Sequence, residues 1–436
     1  VRGTPGRPRG GETLSQTFRS LRTRNYRLFA AGQLISVTGL GMQQVGQAWL
    51  VVDLTGSGVA LGLTAALQFL PLLVFGMWGG LLADRMDKRL LLLSTQIAAG
   101  VLALLLAAVV VAGAVELWMV FVLAFLTGAV HAVDMPARHA FVIEMVGPED
   151  VANAVGLNSA IFNTGRLLGP AVAGVLIASV GVALCFVANG VTYLAVVAAL
   201  RAMRTDELVV QPRAARAAGQ VRAALRYVWT TPELRSTLLL VAVVGTLGFN
   251  FVVILPLFAT QDLGGGAPMF GLLTSLMALG SLLGALGAAH RSRPTRRLLV
   301  AAAGAFGLVT VAAAAAPGPV AAGALLVGAG WSVMVFLATA NATLQLASNP
   351  LMRGRVMSLY GLVFLGSTPV GGPLMGWISE QWGARAALAV AGTACLAAAA
   401  AAAVASVRLR LRPHPAPPAA TAGDGMVLAP GPAETL

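Results

Sequence analysis

The amino-acid sequence predicts an all-α integral membrane protein: twelve transmembrane helices in two pseudo-symmetric six-helix bundles. Three observations carry that prediction. Of 436 residues, 58% are hydrophobic and only 10% charged, against roughly 25% charged in a soluble domain. Apolar runs such as 59–83 and 90–115 contain no ionisable side chain, and each exceeds the about 20 residues that cross a bilayer as a helix. The net charge of +13 is not gathered into a patch. Every Lys and Arg except Arg166 and Arg385 falls in a tail, in alternate loops or at the adjoining helix ends, which is the positive-inside bias and argues against nucleic acid as the partner.

Residues 1–24, rich in Arg, Gly and Pro, have too little apolar surface to fold and are expected to form a cytoplasmic tail. The first apolar segment is of full span length and follows this long basic stretch, so it is expected to stay in place rather than be removed as a signal peptide. Helix 1 is predicted from about Asn25 to Asp53, with Gln33, Gln43, Gln44 and Gln47 interrupting a lipid-compatible surface. One of its faces therefore meets water or a ligand. Helix 2 returns through Pro71 to Asp84, and Gly80 to Arg89 forms a tight inner loop before helix 3, about Leu90 to Ala112. Helix 4 starts near Leu117 and concentrates His131, Asp134, Arg138 and His139 in its inner third. Helix 5, Val151 to Ser179, embeds Arg166, and helix 6 runs from Val182 to Leu200. These helices make a first bundle, 25–200. The segment 201–235, with seven arginines, is a cytoplasmic linker.

A second bundle, 236–407, repeats the plan with helices at about Ser236 to Thr260, Met269 to Ala289, Leu298 to Ala316, Val320 to Leu346, Gly354 to Glu380 and Ala384 to Val407. The Pro- and Ala-rich stretch 408–436 is expected to be a disordered cytoplasmic tail. The repeat is visible in the letters. An offset of 202 aligns Phe162 with Phe364 and Gly174 with Gly376, and an offset of 209 aligns Gly62 with Gly271 while placing Arg293 at the position of Asp84. Cys185 and Cys395 lie inside apolar runs, where cysteine behaves as a small hydrophobe, so neither a disulfide nor a metal site is expected.

Two motifs carry a family resemblance. Gly80, Leu82, Asp84, Arg85, Lys88 and Arg89 resemble the loop 2-3 signature of the major facilitator superfamily, with Asp87 where that signature has glycine. Gly165, Gly169, Pro170 and Gly174 resemble the helix 5 signature of its antiporter branches; glycines four apart share a helix face and admit a close neighbour. Gly280, Gly284 and Gly287 on helix 8 offer a matching face. Over residues 20–408 the chain is similar to the macrolide-efflux and enterobactin-exporter-like drug:proton antiporters, to which Pro136-Ala137-Arg138 and Asn153-Ala154 contribute.

The resemblance implies a secondary transporter of the cytoplasmic membrane, monomeric, with both termini inside, that exports a small hydrophobic or amphiphilic compound in exchange for protons. An uptake porter and a membrane-embedded transferase are the alternatives; the outer loops are too short and uncharged for the transferase. It also implies an inner gate, in which Asp84 caps the start of helix 11 at Gly354 to Val356 and Arg85 or Arg89 pairs with Asp134 or Glu144. Asp134, His131 and Asp53 are the candidates for the coupling proton, and Asp53 is the expected counter-ion of Arg166. Gln43, Gln44, Gln47, Asn341 and Gln345 are the candidate cavity residues. No cofactor is expected, since no phosphate-binding loop occurs.

Overall fold

The structure is a computed structural model that describes residues 18–147, 149–209, 220–289 and 294–411. The first half holds α1 (Arg24–Thr55), α2 (Gly58–Arg85), α3 (Lys88–Val111), α4 (Leu117–Val146), α5 (Val151–Ser179) and α6 (Ala183–Arg201). A short helix, Gln220–Thr230, precedes the second half: α7 (Pro232–Asp262), α8 (Ala267–Ala289), α9 (Arg296–Ala314), α10 (Pro319–Ala347), α11 (350–382) and α12 (384–411). Ten helices among the described residues are long and apolar enough to span a membrane. One of them is α11 and α12 run together, divided at Gly383, whose φ of 85° turns the chain in a conformation that favours glycine. Helix α1 has the length, but its four glutamines lower its hydropathy; it completes the twelve.

The turns follow from local chemistry. Gly56 ends α1 in the left-handed region, and Ser57 caps α2 by accepting from the Ala60 amide at 3.2 Å. Asp87 does the same for α3, accepting from the Leu90 amide at 2.9 Å. The residue that departs from the loop signature thus serves as a helix cap. Helix α7 is less regular than its sequence suggests. It relaxes into a π turn at Val244–Gly248 and breaks before Asn250, whose side-chain amide donates to the Thr246 carbonyl at 2.7 Å.

Packing repeats with a period of six helices. The pairs α1–α5, α2–α4 and α3–α6 recur as α7–α11, α8–α10 and α9–α12, and the halves meet through α2–α11 and α5–α8. Two expectations at the edges change. Residues Arg19–Arg22 form a turn held to the α4–α5 loop, with Arg19 paired to Asp150 at 2.6 Å and the Ser20 amide donating to Asn153 at 3.0 Å. The linker contains the helix Gln220–Thr230, where the Asn349 amide donates to the Tyr227 hydroxyl at 3.1 Å. The tails before residue 18 and after 411, and Arg293, lie outside the described residues.

Candidate functional site

A buried polar network occupies the inner third of the first half. Pro136 interrupts the α4 backbone ladder between Asp134 and Arg138, and the four-residue spacing still places the two on one face. Asp134 is 4% exposed. It accepts from Arg138 Nε at 3.0 Å, and from Thr95 Oγ1 and Gln96 Nε2 on α3, both at 2.8 Å. The Arg138 guanidinium reaches across to Gln33 on α1 as well. A charge so deep requires a partner and a full set of hydrogen bonds, and here three helices supply them. His131 is half-buried one turn outward of Asp134, and His139 is exposed. Gln43 is bonded to Asn189 of α6, Gln47 is also buried, and Gln44 is exposed.

The inner loop pairs differently from expectation. Lys88, not Arg85 or Arg89, pairs with Glu144 at 2.7 Å. Arg89 donates to the Leu200 carbonyl at 2.7 Å, closing the end of α6, and Arg85 is exposed. Asp134 is already committed to Arg138, which sits on its own helix one turn away and needs no loop to reach it. Gly80 is buried and Asp84 half-buried at the inner end of α2. Helix α11 starts at Pro350, so Gly354 to Val356 fall in its second turn rather than at its first amides.

The helix 5 motif divides between two neighbours. Gly165 and Gly169 leave no room for a Cβ against Val37, Thr38 and Gly41 of α1, whereas Gly174 and Pro170 meet Ala267, Pro268 and Gly271 of α8 across the halves. Gly280 and Gly284 face Val327 and Trp331 of α10 instead of α5, because they lie on the opposite side of α8 from Gly271. The same close approach occurs at α2–α11, where Gly58 meets Gly376 and Gly62 meets Gly372 and Pro373. Gly62 and Gly271, aligned by the repeat, thus make equivalent contacts. Both lie in the outer half of their helices, so the halves are sealed backbone to backbone on the outside.

Helix α5 shows what lies inside that seal. Val155, Ser159, Phe162 and Arg166 follow one another at helical spacing and are all exposed. Their row points between the α1 contact and the α8 contact, whereas Leu168, Val172 and Val175, exposed in the sealed outer half, mark the lipid face on the far side. Beyond Arg166 the inward-pointing row continues as Pro170 and Ala173, which are buried. A cavity between the halves is therefore open toward the inner end and closes just past Arg166. Asp53 is not its counter-ion. Val37 and Gly41 sit level with Arg166, and Asp53, exposed in the last turn of α1, is twelve residues further, about 18 Å at 1.5 Å per residue.

The second half contributes little charge. Gln345 is bonded to Asn341 on its own helix at 2.6 Å, and Tyr360 and Phe364 stack with centroids 6.2 Å apart. Its ionic groups sit at the two ends of its helices, Arg296, Arg297, Arg353 and Arg355 inside and Asp262, Glu380 and Arg385 outside. Glu380, at the end of α11, accepts from Ser57 Oγ at 2.5 Å and from the Val59 amide at 3.0 Å, bridging the halves at the start of α2. Arg385, the outer exception to the charge bias, pairs with Asp262 at 3.2 Å and donates to the carbonyls of Ala314 and Ala316 at 2.8 and 3.0 Å. Sequence reasoning missed Thr95, Gln96, Asn189 and Glu380. Glu380 alone had a signal, as one of few acids at an outer helix end.

Comparison with known proteins places this arrangement. A family model described as transmembrane secretion effector matches residues 15–419. The multidrug efflux pump Tap of Mycolicibacterium fortuitum is 30% identical over 377 residues, 82% of this chain and 90% of that one. The staphyloferrin A transporter of Staphylococcus aureus is 25% identical over 260 residues, 59% of this chain; the match spans 65%, just under two thirds, of that relative. Among solved structures, a bacterial homologue of the human lysosomal transporter Spinster, inward-facing and occupied, superposes with a TM-score of 0.70 at 16% identity, over 88% of this chain and 97% of that one. At that identity the likeness is one of fold.

Proposed function

Because this chain belongs to the transmembrane secretion effector family of major facilitator transporters, we propose that it exports a small, largely hydrophobic or amphiphilic compound from the cytoplasm by alternating access, in exchange for protons. The observation that carries this reading is the cavity along Val155, Ser159, Phe162 and Arg166, open inward and closed outward by the two glycine contacts. A compound entering from the cytoplasm or the inner leaflet meets apolar walls, a few amides and little fixed charge. The relatives named for multidrug efflux and for siderophore transport are consistent with such a cargo.

Coupling is assigned to Asp134. Arg138 is shared between Asp134 on α4 and Gln33 on α1, so a shift of α1 against α4 transfers the guanidinium toward Gln33 and frees the carboxylate to take a proton. His131, one turn outward, is the relay to the cavity. Asp84 is assigned to the inner gate with Gly80, Arg85, Lys88 and Arg89, and the neighbouring Gly79 lets α2 approach Ala132 and Val133 of α4 there. The protein works as a monomer in the cytoplasmic membrane with both termini inside.

Inverted vesicles loaded with the purified protein test the reading directly. Uptake of a fluorescent hydrophobic drug should follow an imposed pH gradient in wild type, and Asp134→Asn should abolish the gradient dependence while drug binding remains measurable. Movement in the opposite sense, or no dependence on the gradient in wild type, refutes export in exchange for protons. Topology has its own check: cysteine at position 264 should be labelled from the cell exterior and cysteine at position 213 should not.

A further inference from the structure

Arg166 stands midway along α5 with its side chain exposed, in a helix that crosses the membrane. Among the described residues none hydrogen-bonds to it or pairs with it. An unpaired guanidinium at this depth is costly, and such residues pair with one another, with backbone carbonyls or with what passes through the protein. The buried acids of this half are taken: Asp134 by Arg138 and Glu144 by Lys88. Asp53 sits a dozen residues further out.

Gln44 is the second observation. On α1, Gln33 points at α4 and Gly41 at α5, and Gln44 projects between those two directions, toward the same cavity. It is exposed and, among the described residues, has no hydrogen-bond partner, unlike Gln43, which is tied to Asn189. The outer part of the cavity therefore presents a cation and, about six residues or roughly 9 Å further out at 1.5 Å per residue, a neutral amide, neither with a partner among the described residues. In the second half the Gln345 amide donates to Asn341 on its own helix.

We propose that the exported compound carries an anionic group, a carboxylate or a group of like geometry, and that Arg166 binds it toward the closed end of the cavity, with Gln44 donating to it from the outer side. This rests on the export reading above and narrows its cargo: an amphiphilic acid, held by its charge at mid-membrane with its apolar body along Val155 and Phe162. A guanidinium fits a carboxylate with two parallel hydrogen bonds, which fixes the orientation of a cargo that the apolar walls leave free. In the outward-open state water reaches Arg166, screens the pair and lets the anion go.

The test uses the purified full chain in nanodiscs, with empty nanodiscs as reference, and three pyrene probes of matched size: pyrenebutyrate, pyrenebutanol and pyrenebutyltrimethylammonium. Wild type should bind the carboxylate about tenfold or more tightly than the alcohol and should bind the cation least. Arg166→Gln should remove the preference without weakening the alcohol, Arg166→Lys should keep part of it, and Gln44→Leu should lower carboxylate affinity by about threefold. Equal affinity for carboxylate and alcohol in wild type, no measurable binding of the carboxylate, or a preference that survives in Arg166→Gln overturns the proposal. Because the measurement is of equilibrium binding, failure of export in vesicles with the carboxylate preference intact would sink the transport reading and leave the anion site at Arg166 standing without it.

Discussion

The two halves share one helix plan and divide the chemistry unequally. In the first, a buried acid and base on one helix are held by three polar side chains from two others, a second ion pair closes the inner loop, and an arginine with no partner among the described residues faces the cavity. In the second, the membrane interior carries amides, hydroxyls and aromatic rings, and the charges withdraw to the two ends of the helices. Repeating a fold duplicates its packing surfaces, because those are set by small residues at fixed positions. It does not duplicate buried charge, since each added pair costs desolvation that geometry has to offset. One half is thus the electrostatic part of the machine and the other an apolar wall against which it works.

The contrast breaks first at Asp134. Asp134→Ala leaves Arg138 buried without its anion and should lower the stability of the purified protein by about 3–5 kcal/mol, read as a loss of thermal midpoint in detergent. The pair Asp134→Asn with Arg138→Gln should recover most of that. Asn341→Leu in the second half should cost under about 1 kcal/mol, as the loss of a neutral bond between exposed and half-buried groups. Comparable losses from both single variants would erase the division of labour.

Next come the seals. Gly174→Leu and Gly62→Leu each drive a side chain into the backbone of the opposite half, with a penalty of about 1–3 kcal/mol for overpacking that falls on the outward-closed state. Spin labels on the outer loops should report longer distances across the halves. Gly169→Leu meets α1 of its own half, so it should lower stability with little change in those distances. The reverse pattern would mean that the α5–α8 contact is not the seal.

Smaller effects test the ionic contacts at the two ends. Lys88→Gln leaves Glu144, a buried carboxylate, without its partner and should slow turnover by about tenfold, in line with 1–2 kcal/mol for a charge-assisted bond. Glu380→Gln weakens a solvent-exposed bridge and should raise the outward-open population only about two- to threefold, as for exposed pairs; outer-loop distances measure it. An effect larger than that of Gly62→Leu would make the carboxylate, and not the glycines, the principal outer lock.

What was legible in the sequence is what depends on one segment at a time. The spans, the inner loop and the repeat follow from local composition and spacing. The repeat alone makes Gly62 and Gly271 equivalent, and their contacts across the halves are equivalent too. Pairings between helices were not legible, because a period of 3.6 tells which residues share a face and not which neighbour that face meets. Gly165 and Gly174 read as one motif and serve two helices. Gly280 and Gly284 looked like the mates of α5 and belong to α10. The loop cations were interchangeable on paper, and only the structure selects Lys88 for Glu144. Asp53 looked embedded because its helix was long, although it lies in the last turn.

The glycine contacts at α2–α11 and α5–α8 also bear on speed. Glycine, alanine and proline have almost no side-chain rotamer freedom to lose or regain, so a seal built from Gly58, Gly62, Gly174, Gly271, Gly372 and Gly376 parts without any side chain having to find a new conformation. Two smooth backbones separate as rigid surfaces, and no slow repacking step stands between closed and open. Bulky interlocking residues at the same positions would hold the halves together with a latch that had to be undone at every cycle. The bare helix surface gives a joint that is tight to small solutes when shut and quick to release, which suits a machine whose throughput depends on how often it turns over.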